Sequence, residues 1–347
     1  MKSCMKLFRI YSMIVISLCL ISFSSCSDDD EIGNWVKSSD FAGPGRRDAS
    51  CFVINRRAYV VGGYDGKSSS VNKRLKDIWE YNSDNGSWTQ KADFPGPVRS
   101  TAFSFASGDK GYYGTGYDGI KYYDDFWEFD PIDNKWTQKS NFPGGERNGA
   151  IAFYLDGIGY AGCGYNPNYH MDMYKYDPRS DKWETGVSIQ GSKRAHSSTF
   201  IIDNKAYVVG GVNNASAVKD FWMFDPETQT WHEKEQIWNK KKDKFDDDYK
   251  TIVRSNAVVL VIDGLAYFIT GEVPGGGLNP YTWEYNPYTD RWDEKTKFKG
   301  ASRTGAVGFS INNKGFVLTG SASTTATNLY LDDMWEFRPR EKYNKYD

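Results

Sequence analysis

Tyrosine and amide side chains are concentrated in the parts of this chain where the apolar pattern is interrupted. They are Tyr64, Tyr117, Tyr122, Tyr123, Tyr165, Tyr169, Tyr281, Tyr330, Asn213 and Asn279. Aromatic faces beside hydrogen-bonding amides and acids suit a sugar, which has apolar C–H patches and many hydroxyl groups. The same mixture suits a protein partner, and it is also compatible with a surface that binds nothing. The composition therefore favours a binding site without naming its ligand.

Arginine opens a repeated segment six times along the chain. The six residues are Arg47, Arg99, Arg147, Arg194, Arg254 and Arg303. A guanidinium group can hold a carboxylate or a phosphate through two parallel hydrogen bonds. We therefore expect these arginines to line the mouth of a central channel as a candidate ligand site. Because an arginine recurs in every copy, the alternative is that each one braces its own loop or a neighbouring carbonyl group.

The segment from Arg194 to Trp231 shows which elements must position these side chains. It contains an apolar stretch, a tight turn, an apolar run ending at Gly210 and Gly211, and an aromatic stretch at 221–224. These features predict four consecutive antiparallel strands. An equivalent glycine follows every arginine by 16 or 17 residues. One small sheet cannot bury both of its faces, so the six copies are expected to stack side by side.

The sixth copy lacks its fourth strand, and residues 35–41 supply the missing pattern. Trp35 and Phe41 have the same spacing as Trp88 and Phe94. We expect this N-terminal segment to pair with the strand around Trp335 and to close the ring. Closure would remove the exposed strand edges that an open array presents.

The glycine pairs and a repeated Asp-x-Trp motif resemble the kelch family of six-bladed β-propellers. The motif occurs at Asp77/Trp79, Asp125/Trp127, Asp220/Trp222 and Asp333/Trp335. The resemblance covers residues 35–337 and implies an all-β, six-bladed kelch propeller. In such a fold glycine is needed where the blade is thin near the axis. The tryptophans are expected to lie between blades rather than in a ligand site.

Loop lengths differ between the two sides of such a propeller. The first-to-second and third-to-fourth turns are short and uniform, as at 202–205 and 225–226, whereas the second-to-third loops and the blade connections vary. The connection from Trp231 to Arg254 spans 23 residues, against 11 or 12 elsewhere. Function usually lies on variable loops held by a rigid scaffold. We therefore predict that the variable side, called the loop face below, binds the ligand.

The fifth copy departs from the others at Gly271 and Glu272, which a Pro-Gly-rich loop ending at Asn279 follows. This segment resembles the corresponding loop of bacterial N-acetylneuraminate epimerases (sialic acid mutarotases), which are also six-bladed kelch propellers. The resemblance implies a catalytic role for Glu272 in ring opening. Asn279 stands where that family has an arginine, so Arg254 or another repeat arginine would have to replace it. The alternative is that Glu272 is an ordinary loop acid.

Residues 1–26 have the features of a secretion signal, with three basic residues before an apolar run from Ile10 to Phe23. Small residues before Cys26 resemble a bacterial lipoprotein signal, which implies cleavage and lipidation of Cys26. The acidic run at 27–31 resembles the surface-export signal of Bacteroidota lipoproteins. We expect an outer membrane lipoprotein exposed at the cell surface and held by its lipid; the alternative is an ordinary signal peptide.

The chain is thus divided into a signal peptide (1–25), an acidic tether (26–34), one propeller domain (35–339) and a charged tail (340–347). Loss of the signal changes the formal net charge from −2 to −5, a mild balance that argues against a nucleic-acid partner. Cys51 and Cys163 lie in copies that are not neighbours, so no disulfide is expected between them. The histidines show no metal-site spacing. We expect no metal, no cofactor and a monomer.

The preferred interpretation is a surface-anchored kelch propeller that recognises a glycan or a protein through its loop face without catalysis. The first alternative is a sialic acid mutarotase centred on Glu272. The second is a structural component of a surface assembly, in which another protein covers the loop face.

Overall fold

Four antiparallel strands form each repeat, as the sequence predicts. The computed structural model describes residues 31–67, 73–235, 237, 249, 251–273, 275–322 and 329–347. These residues form six four-stranded sheets and two small hairpins. The sheets are called blades 1 to 6, in chain order from the sheet that begins at Ser50. No helix within the described residues has the length and apolarity needed to cross a bilayer.

The N-terminal strand and the strands of blades 1 to 3 are β1 (Ile32–Lys37), β2 (Ser50–Ile54), β3 (Arg57–Val61), β4 (Ile78–Asn82), β5 (Ser87–Gln90), β6 (Phe103–Ser107), β7 (Lys110–Gly114), β8 (Phe126–Asp130), β9 (Lys135–Lys139), β10 (Ile151–Leu155), β11 (Ile158–Gly162), β12 (Met173–Asp177) and β13 (Lys182–Thr185). The strands of blades 4 to 6 are β14 (Ser198–Ile202), β15 (Lys205–Val209), β16 (Val212–Asn213), β17 (Ser216–Ala217), β18 (Phe221–Asp225), β19 (Thr230–Glu233), β20 (Val258–Ile262), β21 (Leu265–Ile269), β22 (Glu272–Val273), β23 (Gly277–Leu278), β24 (Thr282–Asn286), β25 (Arg291–Lys295), β26 (Val307–Ile311), β27 (Lys314–Leu318) and β28 (Met334–Lys342).

The first strands of the blades contact one another in a closed circle, β2–β6–β10–β14–β20–β26 and back to β2. Their side chains alternate between buried and half-buried, as expected for strands with one face between blades and the other toward a channel. Channel-facing residues such as Val53, Ser104 and Ile201 line a cavity of about 400 Å³. The second strands are buried almost throughout. The predicted six-bladed, all-β propeller is confirmed.

The N-terminal strand closes the ring. β1 pairs with β28 in antiparallel register, with Trp35 opposite Phe337 and Lys37 opposite Trp335. The predicted closure is therefore correct, but the sheet extends further than the predicted limits, because β1 begins at Ile32 and β28 continues to Lys342. The last residues are also tied to β1: the backbone N–H of Asn344 donates to the side chain of Asn34 at 3.1 Å.

Aromatic side chains join each blade to the next. The third-strand aromatic residue of every blade packs on first- or second-strand aromatics of the preceding blade, with ring centroids 5.1–5.7 Å apart. The pairs are Tyr59–Phe129, Tyr112–Tyr176, Tyr160–Phe224, Tyr207–Tyr285, Tyr267–Phe337 and Phe309–Tyr81. Aromatic pairs at such distances stabilise a core beyond the area they bury. Cys51 and Cys163 are not joined by a disulfide, as predicted.

Candidate functional site

The repeat arginines do not line the channel mouth, because the structure buries them. Arg99, Arg147, Arg194, Arg254 and Arg303 are at most 1% exposed. Arg99 shows the common arrangement, since it donates to the carbonyl of Thr115 at 2.8 Å and to the carboxylate of Asp125 at 2.5 and 2.9 Å. These five arginines brace their own blades, as the alternative interpretation held. The prediction that these five arginines line the channel mouth and bind a ligand is therefore wrong.

In blade 1 the equivalent arginine is Arg46 rather than Arg47. Arg46 is fully buried, donates to the carbonyl of Gly62 at 2.8 Å and forms two bonds to Asp77 at 2.6 and 2.7 Å. The prediction was thus one residue out of register. Arg47 instead lies on the loop face, where its side chain is 26% exposed and its Nε donates to Asp48 at 2.7 Å.

Blade 5 lacks the aspartate that accompanies the buried arginine in the other blades. Tyr281 occupies that position. Arg254 donates to four backbone carbonyls at 2.6–3.1 Å, those of Thr251, Ile252, Thr270 and Tyr281. Burial lowers the pKa of Arg254 to about 9. Because Arg254 is fully buried and occupied with these carbonyls, it cannot act as the arginine beside Glu272.

Six residues, each two positions after a buried arginine, surround the propeller axis. They are Asp48, Thr101, Gly149, His196, Asn256 and Gly305. All have positive φ, between 51° and 60°. Each donates its backbone N–H to the carbonyl of the equivalent residue in the preceding blade, at 2.8–3.2 Å. The six hydrogen bonds form a closed circle, called the axial ring below, which joins all blades at the axis.

Two glycines of the axial ring leave room for two polar side chains. A β-carbon at Gly149 would lie 2.7 Å from the imidazole of His196, and one at Gly305 would collide with the carboxylate of Asp48. His196 belongs to blade 4 and Asp48 to blade 1, so the two side chains approach the axis from opposite sides. Both line a cavity of about 150 Å³, together with Asn256.

A collar of small residues follows the axial ring along the channel. It consists of Ala49, Ala102, Ala150, Ser197, Ala257 and Ala306. The repeat glycine of every blade packs against this collar, and a β-carbon there would come within 3.2 Å of a collar atom. These glycines are Gly63, Gly116, Gly164, Gly211, Gly271 and Gly320. The prediction that glycine is a packing requirement near the axis is confirmed.

Six tyrosines form an arc on the loop face across blades 6, 1, 2 and 3. This tyrosine arc consists of Tyr330, Tyr64, Tyr117, Tyr122, Tyr165 and Tyr169. Four pairs of neighbouring rings have centroids 4.7–6.4 Å apart. Tyr64, Tyr117 and Tyr165 also form antiparallel bridges to the blade connections, which places both kinds of variable loop on one face as predicted. The structure thus brings together six of the eight tyrosines that the sequence put forward for a binding site.

Arg74 connects the two halves of the tyrosine arc. Its guanidinium carbon lies 5.2 Å from the ring centroid of Tyr64 and 5.0 Å from that of Tyr117. Its Nε donates to the hydroxyl of Ser100 at 3.1 Å, and Nη1 donates to the carbonyl of Asp118 at 3.1 Å. Cation–π contacts of this kind fix a guanidinium group between aromatic faces. The arc is therefore a continuous surface of tyrosine and arginine.

Glu272 follows the repeat glycine of blade 5, at the position that Tyr64, Tyr117 and Tyr165 occupy in blades 1 to 3. It opens β22, and its backbone exchanges two hydrogen bonds with Ser255. Its carboxylate has no hydrogen bond or ion pair within the part of the chain that the structure describes. The pKa of Arg47 is raised by the charge of Asp48 and, to a lesser extent, by that of Glu272. Burial lowers the pKa of His196, while the charges of Asp48 and Glu272 oppose this effect.

Asp48 and His196 line the axial cavity, Arg47 donates to Asp48, and the charge of Glu272 acts on Arg47 and His196. These four residues combine two carboxylates, one guanidinium group and an imidazole whose lowered pKa favours its neutral form. The carboxylates can accept hydrogen bonds from a ligand, the guanidinium group can donate them, and the imidazole and the carboxylates can act as a general acid or base. Among the described residues, no three His, Cys, Asp or Glu side chains converge closely enough to hold a metal ion.

Three predicted ligand-binding residues lie outside this arrangement. Asn279 is 2% exposed and braces its own loop, since its amide donates to the carbonyl of Thr251 at 2.6 Å; the predicted contact with a ligand is wrong. Tyr281 packs against the core of blades 4 and 5. Asn213 lines a separate groove of about 670 Å³ that includes Trp222.

Asp48, His196 and Arg74 were not predicted as site residues. Asp48 and His196 belong to types that tolerate positive φ better than most, and both stand two residues after a repeat arginine. If Arg46 is taken as the repeat arginine of blade 1, this shared position in the repeat would have identified Asp48 and His196 as equivalent residues. Arg74 lies in a variable loop without any repeated counterpart.

Two family models match the chain. The model of the Attractin/LZTR1 beta-propeller matches residues 158–346, which is more than half of the chain. The model of the KLHDC2/KLHL20/DRC7 Kelch-repeats domain matches residues 31–152. A comparison with curated proteins finds no match. Together with the six blades and the kelch motifs, the longer match shows that the chain belongs to the Attractin/LZTR1 β-propeller family.

Proposed function

We propose that this propeller is a non-enzymatic recognition protein that binds a protein partner through its loop face. Kelch propellers are in general scaffolds for protein interactions. The observation that carries the proposal is the tyrosine arc with Arg74 between its halves. Tyrosine and arginine are enriched among the residues that dominate protein interfaces.

The rigidity of the arc supports this role. The backbones of Tyr64, Tyr117 and Tyr165 are fixed by bridges to the blade connections, and neighbouring rings contact one another. A binding surface that is already ordered loses less conformational entropy when a partner binds. The tyrosine arc therefore has the properties of a preformed interface.

The test compares the protein with a loop-face variant and a matched control. The triple variant Tyr117→Ala, Tyr122→Ala, Tyr165→Ala removes the centre of the arc. Tyr288→Ala is the control, because Tyr288 is 79% exposed in a third-to-fourth-strand turn on the opposite side. Cross-linking on intact cells, followed by purification, should recover a defined partner with the wild type and the control. Recovery should fall at least tenfold with the triple variant; equal recovery would contradict the proposal.

A glycan is the other ligand that the exposed rings and hydroxyl groups suit. The same three proteins applied to a glycan array decide this point. If the wild type and Tyr288→Ala bind a glycan that the triple variant does not bind, the ligand of the loop face is a glycan and not a protein. A partner that stays attached through all purification steps would instead indicate a structural component of a surface assembly.

A second candidate function is sialic acid mutarotation centred on Glu272. The observation that favours it is the raised pKa of Arg47, to which the charge of Glu272 contributes. Arg47 would then replace the arginine that Asn279 and Arg254 do not supply. Proton NMR of freshly released α-N-acetylneuraminate with catalytic amounts of the protein tests it. Faster equilibration of the anomers that is lost in Glu272→Gln supports catalysis, whereas an unchanged rate removes this candidate.

We also propose that Cys26 carries a lipid anchor that holds the propeller at the outer membrane, exposed to the exterior. The support is the signal-like sequence before Cys26 and the acidic run after it; residues 1–30 lie outside the described residues. Growth with an alkyne-bearing fatty acid should label the wild type, and Cys26→Ser should abolish the label. Degradation of the labelled protein by protease added to intact cells would support surface exposure. Protection from that protease would place it in the periplasm.

A further inference from the structure

The third strand of blade 6 is longer than its counterparts. β28 has nine residues, whereas the third strand of every other blade has five. It begins level with them, since Met334 pairs with the last residue of the second strand, as Phe126 does in blade 2. The extra residues, 339–342, therefore lie at the other end, on the side of the short uniform turns, which is called the plain face below. At the rise of a strand, they carry β28 roughly 13 Å further than the other third strands.

The N-terminal strand starts on the same extension. Ile32 pairs with Lys342, and the carbonyl of Glu31 accepts a hydrogen bond from the backbone N–H of Tyr343 at 2.9 Å. Residues 31–33 and 339–343 thus form a two-stranded projection from the plain face, called the blade 6 arm below. The chain enters the propeller through this arm.

Hydrogen bonds fix the base of the arm. The hydroxyl of Thr296 donates to the carbonyl of Gly33 at 2.7 Å. Asn34 is 2% exposed, and its side-chain oxygen accepts from the backbone N–H of Asn344 at 3.1 Å. Lys299 donates to the carbonyl of Asn344 at 3.1 Å. The point at which the chain enters the propeller is therefore held in place relative to the blades.

The chain between the arm and Cys26 is short. Cys26 and Ile32 are six positions apart in the sequence, which allows a separation of roughly 20 Å at full extension. β1 also has six residues, so the height of blade 6 from the plain face to the loop face is about the same, roughly 20 Å. A lipid on Cys26 would therefore keep the plain face nearer to a bilayer than the loop face.

The exposed side chains of the arm and of the tail that follows it suit the surface of a bilayer. Ile32 is 44% exposed and Tyr346 is 85% exposed, and Nζ of Lys345 lies 5.1 Å from the ring centroid of Tyr346. Tyrosine is enriched at membrane–water interfaces, and lysine can keep its charge in water while its stem lies along apolar groups. The charges are mixed, as at the adjacent Arg340 and Glu341. Contact would therefore depend on the anchor rather than on attraction to anionic lipids.

We propose that the blade 6 arm lies against the surface of a lipid bilayer and that the loop face points away from it. The inference rests on the proposed lipid anchor at Cys26, and it adds the orientation in which that anchor holds the propeller. The tyrosine arc then faces outward, where a partner can approach it without displacing lipid.

The test couples residues 26–347, which contain every strand of the propeller, through the thiol of Cys26 to a maleimide lipid in vesicles of phosphatidylethanolamine and phosphatidylglycerol. Azidophenylalanine replaces either Tyr346 beside the arm or Ile120, which is 74% exposed on the loop face, and carries a donor fluorophore. Energy transfer to a rhodamine lipid then reports how near each position lies to the bilayer. Transfer from position 346 should be at least threefold that from position 120. Equal transfer, or greater transfer from position 120, would overturn the proposal.

Two controls identify the cause of this orientation. Cys26→Ser should abolish transfer from both positions, because Cys51 is half-buried and Cys163 is buried; transfer that persists would contradict attachment through the tether. Insertion of about thirty Gly-Ser residues between Glu31 and Ile32 lengthens the tether by roughly 30 Å and should reduce the difference between the two positions by at least half. An unchanged difference would refute the short tether as its cause.

Chemical coupling makes the orientation test independent of lipidation in cells. Equal transfer from the two positions, with fatty-acid labelling of Cys26 intact in cells, would refute the orientation and leave the lipid anchor in place. A clear difference in vesicles, with no fatty-acid label in cells, would support the geometry of the arm and refute the anchor.

Discussion

His196 brings an imidazole to the propeller axis in a half-buried position. Burial lowers its pKa, and the carboxylates of Asp48 and Glu272 only partly oppose that effect. The folded protein therefore binds the imidazole proton less readily than the unfolded chain does. It follows that the stability contributed by neutral His196 is complete above its ordinary pKa of about 6.5 and is lost as the pH falls below that value.

Replacement of His196 by asparagine should flatten this pH dependence. Asparagine accepts the positive φ of 57° at this position, and its side chain does not titrate between pH 7 and 5.5. Between pH 7 and 5.5, the wild type should lose up to about 1 kcal/mol more unfolding free energy than His196→Asn. Urea denaturation at both pH values measures this difference. The exposed His232→Asn variant is the control; if it flattens the profile equally, His196 is not responsible.

The space above Gly149 should be required for the position of His196. Gly149→Ala would place a methyl group against the imidazole, whereas the control Gly108→Ala introduces the same φ strain where nothing lies within 4 Å. Each variant should lose about 1 kcal/mol of unfolding free energy, because alanine is strained at positive φ. Only Gly149→Ala should also shift the NMR titration of His196. Equal titration curves in the two variants would contradict the described packing.

The residue scale is also where sequence reasoning was least successful. Two adjacent arginines, Arg46 and Arg47, fit the repeat equally well by type, and only the hydrogen bonds to Gly62 and Asp77 distinguish them. A one-residue shift reverses the assignment of every following side chain in a strand. For this reason Asp48 was not aligned with His196, and the axial ring was not predicted.

At the scale of the elements, the buried arginine of each blade ties a blade connection to the second and third strands. Arg99 joins the carbonyl of Thr115 to the carboxylate of Asp125, and its guanidinium carbon lies 4.8 Å from the ring centroid of Phe94. Breaking a buried ion pair costs far more than breaking an exposed one, because the remaining charge loses its partner in a poorly solvated position.

We therefore expect Arg99→Met to lower the unfolding free energy by about 3–5 kcal/mol. The control is Arg56→Met, which breaks an exposed pair with Asp84 at 3.2 Å and should cost less than about 1 kcal/mol. Chemical denaturation of both variants measures the contrast. Similar losses in the two variants would show that the buried pair is not a brace. The double variant Arg99→Met, Asp125→Asn should recover part of the loss, since it removes the stranded charge.

The elements themselves were predictable because their signals are local. Alternation along the first strands, the repeat glycines and the Asp-x-Trp motif define four strands in every blade, and the structure has them. The loop face was predictable from variable length. Which tyrosines meet there was not, since the contact between Tyr122 and Tyr165 joins different blades and depends on loop conformation rather than on any repeat.

For the whole molecule, the decisive contact is the one between the two ends of the chain. Blade 6 consists of β26, β27, β28 and the N-terminal β1. Trp35 is fully buried in it, stacks on Phe337 at 4.5 Å and meets Phe298 edge-on at 4.8 Å. A closed ring has no end repeats, so each blade is supported on both sides. Opening the ring would convert it into a linear array whose terminal blades are supported on one side only.

Trp35→Ala tests whether closure makes the propeller a single cooperative unit. The lost packing should cost about 3–5 kcal/mol, and blades 6 and 1 should then exchange their amide hydrogens before blades 2 to 4. Trp183→Ala is the control, because Trp183 is a half-buried fourth-strand tryptophan in the middle of the chain and its loss leaves the ring closed. Hydrogen exchange read out blade by blade measures the difference. Uniform exchange in Trp35→Ala would show that the axial ring and the interblade aromatic contacts maintain cooperativity without the N-terminal strand.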